Sequence, residues 1–364
     1  MSNSITAYIG LGSNLGDRQK YINDAIKMLN ETDGIEITGT SDIIETAPLG
    51  GRKQPDYLNG VIEIKTILDA KGLHKRLTEI EKELGRERKE KWAARTIDLD
   101  LLVFSDQIIN LPELTVPHPQ MHFRSFVLNG LCQLNPNLIH PVMKVSAAEL
   151  ASRLNNQNFI PEPRKPALIS VAGLIGVGKT TLAKKLSENF GCKLLLEPYD
   201  QNPFLPEVYA GRKDLALESQ LFFLRYRVNQ LSPDFLEAGK MTITDYIFDQ
   251  EEIYANRLLD AYQLDLYNQS YKSLSSKVSL PVLVIYLYDE PAHCLERIKL
   301  RNRPYEQKIE ISFLKTMSGD YDNLFAGWKT CPVIRIRVWE FDFREKENFD
   351  NLVNQIKCYV ASNK

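Results

Sequence analysis

A chain of 364 residues is longer than one hydrophobic core ordinarily organises and sets an expectation of two or three domains. Its composition, 43% hydrophobic and 25% charged, is that of a folded globular protein and excludes collagen-like, coiled-coil and disordered readings. A formal net charge of −2 gives no global attraction to nucleic acid or to anionic membranes, so any anion site must be local.

The first ten residues, Met1 to Gly10, lack the basic and apolar regions of a signal peptide, and no stretch approaches the roughly 18 apolar residues that span a bilayer. Cys132, Cys192, Cys294, Cys331 and Cys358 are scattered and form no C-x-x-C pair, which argues against a disulfide framework or a structural zinc site. A cytoplasmic protein is expected.

In the first half, apolar periodicity predicts a strand at Thr6–Leu11, a helix at Asp17–Asn30 and strands near Ile35–Thr46 and Tyr57–Thr66. A helix at Ala70–Leu84 and a strand at Thr96–Phe104 follow. The order β-α-β-β-α-β is that of a ferredoxin-like α+β sandwich. Within the last strand Asp98 and Asp100 lie two apart and share a face. Two carboxylates so placed can hold Mg²⁺ whose other positions are filled by phosphate and water, whereas the plainer reading is an edge strand with two solubilising acids. The basic segment Arg86 to Arg95, which carries Trp92, runs directly into these acids and suits a mobile lid over a metal-bridged polyphosphate.

The composition breaks at Pro161-Glu-Pro-Arg-Lys-Pro166, where three prolines exclude helix and central strand. This places a linker at 161–166 between domains at 1–160 and 167–364. Apolar strands at Leu168–Ala172, Lys193–Leu196, Met241–Thr244 and Val282–Tyr288 then alternate with helical patterns, which predicts a parallel-sheet α/β domain. Between the first of these strands and the helix Thr181–Phe190 stands Gly173-Leu-Ile-Gly176-Val-Gly178-Lys179-Thr180, a P-loop in its required context. Its glycines let backbone N–H groups wrap phosphates, Lys179 neutralises them and Thr180 can ligate Mg²⁺. Glu197 and Asp245 each stand at a strand's carboxyl end, where ligands bind in open parallel sheets; Glu197 could accept a hydroxyl proton and Asp245 could join the metal. Arg297 and Arg301, four apart, would point the same way from a helix, as a phosphate lid requires.

Residues 1–160 resemble 6-hydroxymethyl-7,8-dihydropterin pyrophosphokinase. The resemblance rests on Gly12-Ser-Asn-Leu-Gly16, Thr46-Ala-Pro-Leu-Gly50, Gln54-Pro-Asp-Tyr57-Leu-Asn59, the Arg86–Arg95 loop, Asp98-Leu-Asp100, Thr115-Val-Pro-His118-Pro and Arg124-Ser-Phe126, in order. It implies pyrophosphoryl transfer from ATP to a pterin, with Mg²⁺ on Asp98 and Asp100 and phosphate contacts from Arg86, Arg95, His118 and Arg124. It also implies a pterin held by Thr46, Tyr57, Asn59 and Phe126 under Trp92. Ala93-Ala94 departs from the family's loop pattern.

Residues 165–364 resemble the deoxynucleoside kinases in the P-loop, Leu196-Glu197-Pro198, Asn202-Pro-Phe-Leu205, Tyr209, the Gln220/Arg227 spacing and the arginine-rich stretch ending Tyr305-Glu306-Gln307. The resemblance implies ATP and Mg²⁺ at Gly173, Gly176, Gly178, Lys179, Thr180, Thr181 and Asp245, with Glu197 as general base for a sugar 5′-hydroxyl. It further implies Gln220 and Arg227 at the nucleobase, Tyr209 and Glu306 at the 3′-hydroxyl, Arg297, Arg301 and Arg303 on phosphates, and a homodimer through this half. Where the family commonly has arginine after the strand-end acid, this chain has Tyr246. The expected whole is a bifunctional kinase acting on small molecules, with no nucleic-acid or membrane partner. The alternatives are a C-terminal half kept as a silent regulatory or dimerisation module, or one phosphorylating another small hydroxyl compound or nucleotide.

Overall fold

The computed structural model describes residues 4–86 and 93–360. The chain divides into two compact units, Met1–Ile160 and Pro161–Lys364.

In the first unit the strands are β1 (Ile5–Ser13), β2 (Ile35–Thr40), β3 (Ile44–Thr46), β4 (Tyr57–Thr66) and β5 (Asp98–Phe104), followed by a small ribbon of β6 (Ile109–Asn110) and β7 (Thr115–Val116). The main sheet runs β2-β4-β1-β5 with β3 also on β4, and its pairs are antiparallel. This is the ferredoxin-like arrangement expected from the element order. The predicted single strand near Ile35–Thr46 is two, β2 and β3, both on β4. Helices α1 (Arg18–Asn30) and α2 (Ala70–Glu83) start at Asp17 and Asp69, whose carboxylates accept from Lys20 N and Gly72 N and so satisfy otherwise orphaned first-turn donors. They bury Ile22, Leu29, Leu73, Leu77 and Ile80 in the same core as Leu99 and Leu101 of β5. Strand alternation therefore sends Asp98 and Asp100 to the opposite face.

On β4, helix α3 (Ser125–Leu134) approaches closely: a Cβ on Gly130 would stand 2.6 Å from Val61 Cγ2. Helix α4 (Ala147–Leu154) packs on α3. The turn joining them is held by buried His140, whose Nδ1 accepts from Val142 N and Met143 N, both at 3.2 Å.

The second unit has a parallel sheet in the order β12-β11-β8-β10-β9, built from β8 (Ala167–Gly173), β9 (Lys193–Leu195), β10 (Met241–Thr244), β11 (Leu283–Tyr288) and β12 (Val333–Arg337). Central β8 is buried from Leu168 to Gly173, as a strand covered on both faces must be. Strand β12 is absent from the sequence expectation because its arginines interrupt the apolar run. Arg335 is accommodated by donating to Phe325 O at 3.0 Å.

The helices of this unit are α5 (Lys179–Phe190), α6 (Leu205–Tyr209), α7 (Ala216–Gln230), α8 (Gln250–Leu258), α9 (Ala261–Leu274), α10 (Pro291–Arg301), α11 (Ile311–Ala326) and α12 (Lys346–Val360). Leu224 and Val228 of α7 share a core with Leu168, Leu195 and Tyr267. In the register Thr244 pairs with both Ser170 and Leu195, so the residues after β8, β9 and β10 emerge side by side.

Burial pushes His140 down to about 4 from 6.5, so the neutral form is favoured in the fold. Its contribution to stability is whole above pH 6.5 and is lost as the pH falls through 4, an effect of about 3 kcal/mol. His140→Asn keeps an acceptor but cannot titrate; denaturant unfolding of this variant at pH 7 and pH 4 should show a smaller loss than the parent protein does.

Candidate active sites

In the first unit, paired residues of β1, β4 and β5 line the sheet face away from the α1/α2 core: Gly10 opposite Asp100 and Val61, Gly12 opposite Asp98 and Asn59. The two glycines floor a cavity of about 570 Å³ lined by Thr46, Pro48, Tyr57, Asn59, Arg86, Arg95, Asp98, Asp100, His118, Arg124 and Phe126. A side chain at Gly12 would enter it, its Cβ only 3.2 Å from Asn59 Oδ1. Asn14, in the turn after β1, binds the approach to β5: its N–H donates to Arg95 O at 3.1 Å and its Oδ1 accepts from Arg95 N at 2.8 Å.

Asp98 lies between two guanidinium groups, with Arg86 Nη2 and Arg95 Nη1 each 2.7 Å from its oxygens. Burial and the charge of Asp100 push its carboxyl above the usual range, while Arg86 and Arg95 pull it back. Asp100 has Arg124 Nη1 at 3.4 Å and His118 Nε2 at 3.8 Å. Burial pushes His118 down to about 4, so it is neutral at pH 7. Its Nδ1 accepts from Gln120 N at 3.2 Å, which places the proton on Nε2, facing Asp100. Gln120 also fixes Arg124, accepting from Nη2 at 2.8 Å. Asn59 Nδ2 donates to Thr46 Oγ1 at 2.7 Å, and Tyr57 and Phe126 present half-buried rings. Trp92, with residues 87–92 of the basic loop, lies outside the described residues.

Glu81 of α2, which sequence reading passed over, stands behind the cavity wall at Arg86. It ion-pairs with Arg86 and accepts from Leu99 N at 2.8 Å; burial pushes its carboxyl up to about 7. Its signal was an acid four residues after Leu77, on the helix's apolar stripe.

In the second unit the P-loop leaves β8 through glycines that other residues could not replace. A Cβ on Gly173 would meet Leu287 O at 2.1 Å, and one on Gly176, at φ +82°, would meet Cys294 O at 2.5 Å. Helix α5 begins at Lys179, whose Nζ donates to Gly173 O at 2.9 Å and Leu174 O at 3.1 Å; burial lowers it to about 8. Thr180 Oγ1 donates to Asp245 Oδ2 at 2.5 Å, and Thr181 is exposed in the first turn. Asp245 Oδ1 accepts from Glu197 N at 2.9 Å, so the acids after β9 and β10 are locked together. Burial raises the Asp245 carboxyl, against Thr180 and Lys179.

Glu197 in turn ion-pairs with Arg227 and accepts from Gln250 Nε2 at 2.9 Å. Gln220 is buried two turns earlier on the same helix as Arg227. The arginines in and just after α10 have carboxylate partners. Arg297 pairs with Asp289 and donates through Nε to Gly176 O at 2.9 Å. Arg301 and Arg303 lie 2.6 and 3.3 Å from Glu306, and the ring of Tyr209 lies 6.0 Å from that of Tyr305. Gln250, Glu251 and Asp289 carried no sequence signal, since polar and acidic residues at helix starts are ordinary.

The model of 7,8-dihydro-6-hydroxymethylpterin-pyrophosphokinase matches residues 8–136, and that of deoxynucleoside kinase matches residues 169–361. A deoxyguanosine kinase of Bacillus subtilis (strain 168) is 38% identical over 201 residues, 53% of this chain and 97% of that protein. From the same organism, a deoxyadenosine/deoxycytidine kinase is 30% identical over 207 residues, covering 55% of this chain and 95% of its own. The 2-amino-4-hydroxy-6-hydroxymethyldihydropteridine pyrophosphokinase of Bacillus subtilis is 44% identical over 128 residues, 35% of this chain and 77% of its own. The chain is thus a fusion that belongs to both families, to the pterin pyrophosphokinases through its first unit and to the deoxynucleoside kinases through its second.

Gly176→Ala should destabilise the second unit by about 1–3 kcal/mol, because it combines a left-handed backbone with a contact no Cβ can make. Calorimetry would show the loss in one of two unfolding transitions and the other unchanged.

Proposed function

We propose that the chain is a bifunctional kinase that transfers pyrophosphate from ATP to 6-hydroxymethyl-7,8-dihydropterin in its first unit and phosphorylates the 5′-hydroxyl of deoxynucleosides in its second. The observation that carries the first activity is the pair Asp98 and Asp100 above a glycine floor, ringed by Arg86, Arg95, Arg124 and neutral His118. Phosphoryl chemistry calls for positioning and charge neutralisation rather than a protein nucleophile, and this ring supplies both. Tyr57 and Phe126 offer ring faces to a planar heterocycle, and Asn59, steadied by Thr46, offers its amide to the pterin edge.

The second activity rests on Lys179, Thr180, Asp245 and Glu197 gathered at adjacent strand ends. In that reading Glu197 takes the 5′-hydroxyl proton while Lys179 and the P-loop N–H groups hold the donor phosphates. Tyr209 and Glu306 hold the 3′-hydroxyl, Gln220 reads the nucleobase, and Arg297, Arg301 and Arg303 exchange their carboxylate partners for phosphate.

Both sites suit Mg²⁺ of the kind shared with a substrate. Among the described residues no group of three or more His, Cys, Asp or Glu gathers to hold an ion, yet each site offers hard oxygens: Asp98 with Asp100, and Thr180 hydrogen-bonded to Asp245. Such an ion completes its octahedron with phosphate oxygens and water, and it supplies charge neutralisation to the transferring group.

A panel of the four deoxynucleosides and the hydroxymethyl-dihydropterin, assayed with ATP on the full chain, tests both halves. Asp100→Asn should cut pterin turnover by about 10²-fold or more and leave deoxynucleoside turnover intact; Lys179→Ala should do the reverse. Deoxynucleoside phosphorylation that survives Lys179→Ala would remove the second assignment. Because the two site residue sets are separate, saturating deoxynucleoside should shift the pterin KM by less than about three-fold.

A further inference from the structure

Arg124 lines the cavity of the first unit and also occupies the N-cap position of α3, with extended backbone at φ −115° and ψ 102°. Its side chain makes no cap bond and turns into the cavity, where Nη1 lies 3.4 Å from Asp100 Oδ2. A helix whose N-cap side chain is engaged elsewhere leaves first-turn N–H groups in need of another acceptor. Asn158, 33 residues beyond Ser125, supplies one: its Oδ1 accepts from Ser125 N at 2.7 Å and from Ser125 Oγ at 3.0 Å. An antiparallel bridge between Arg124 and Asn158, and a bond of 2.9 Å from Phe159 N to Phe123 O, lay this segment along the residue that enters the cavity.

The guanidinium has a holder of its own. Gln120 also lines the cavity, and its Oε1 accepts from Arg124 Nη2 at 2.8 Å. A free arginine loses much rotamer freedom when it is fixed, and one already held has lost that freedom before phosphate arrives. The acceptor is a neutral amide, which aims the guanidinium without cancelling its charge, whereas Arg86 and Arg95 face the carboxylate of Asp98. We propose that Gln120 and Asn158 are positioning residues for Arg124: Gln120 aims the guanidinium, and Asn158 takes over the capping of α3, so that this cation meets the polyphosphate at a fixed place. The inference rests on the reading of the first unit as a pyrophosphokinase in which Arg124 contacts phosphate.

The test is steady-state pyrophosphoryl transfer from ATP to 6-hydroxymethyl-7,8-dihydropterin by the full chain. Gln120→Ala and Asn158→Ala should each lower kcat/KM for ATP by about five- to ten-fold and leave the pterin KM within about two-fold. Asn158→Asp, which keeps the acceptor oxygen, should return to within about two-fold of the parent protein, whereas Gln120→Glu, which keeps the acceptor but cancels the charge of Arg124, should not. The deciding readout is the Arg124→Ala background. There either alanine change should lower kcat/KM by less than about two-fold, since both act through the side chain that is gone. A full loss in that background, parental activity in either single variant, or a shifted pterin KM alone would overturn the proposal. Should Asn158→Ala fail to fold, the Gln120 variants decide by the same comparison. Arg124→Ala also separates the two levels. Parental activity in it defeats the phosphate reading of Arg124, whereas its loss beside intact Gln120→Ala and Asn158→Ala defeats only the positioning role.

Discussion

A carboxylate withdrawn from water needs a cation or several donors beside it, and both sites of this chain are organised by that requirement. Asp98 sits between Arg86 and Arg95, with Glu81 behind Arg86. Glu197 and Glu251 share Arg227, and Glu306 gathers Arg301 and Arg303. Except for Asp245, which is held by Thr180 and the Glu197 N–H, the acids of both candidate sites are held by basic groups whose geometry also suits phosphate. A polyphosphate entering either site meets cations that are already placed, which lowers the reorganisation left to the reaction.

The two units reach that arrangement from opposite features of sheet structure. In the antiparallel unit the site lies on a face: alternation along β5 separates Leu99 and Leu101 from Asp98 and Asp100, and Gly10 and Gly12 on β1 keep the face open beside them. In the parallel unit both faces of the sheet are buried, so the site lies where strands end. The P-loop, Glu197 and Asp245 follow β8, β9 and β10, and the register makes them neighbours. Thr180 and the Glu197 backbone then bind the two oxygens of one carboxylate, Asp245.

Position 246 shows how a local departure is absorbed. Read along the chain, an aromatic residue after Asp245 looks like the loss of a charge from the site. In the fold Tyr246 is a core residue bonded to α7, and the same helix delivers Arg227 to Glu197. The guanidinium beside Glu197 thus comes from a residue 19 positions from Tyr246 in sequence, and no local pattern could have revealed that pairing.

The sequence by itself determined the β-α-β-β-α-β order of the first unit, the parallel α/β character of the second, the shared face of Asp98 and Asp100, the P-loop and the strand-end acids. These depend on periods of two and 3.6 and on glycines whose backbone demands are local. It did not reveal β12, whose arginines mask an apolar strand, nor Glu81, Gln250, Glu251 and Asp289, which look like ordinary helix-end or helix-face residues until neighbours bury them. Nor did it show that Arg297, Arg301, Arg303 and Arg227 would each be matched to a particular carboxylate. Pairing of buried charges is set by which distant segments share a low-dielectric space, and only the tertiary structure decides that.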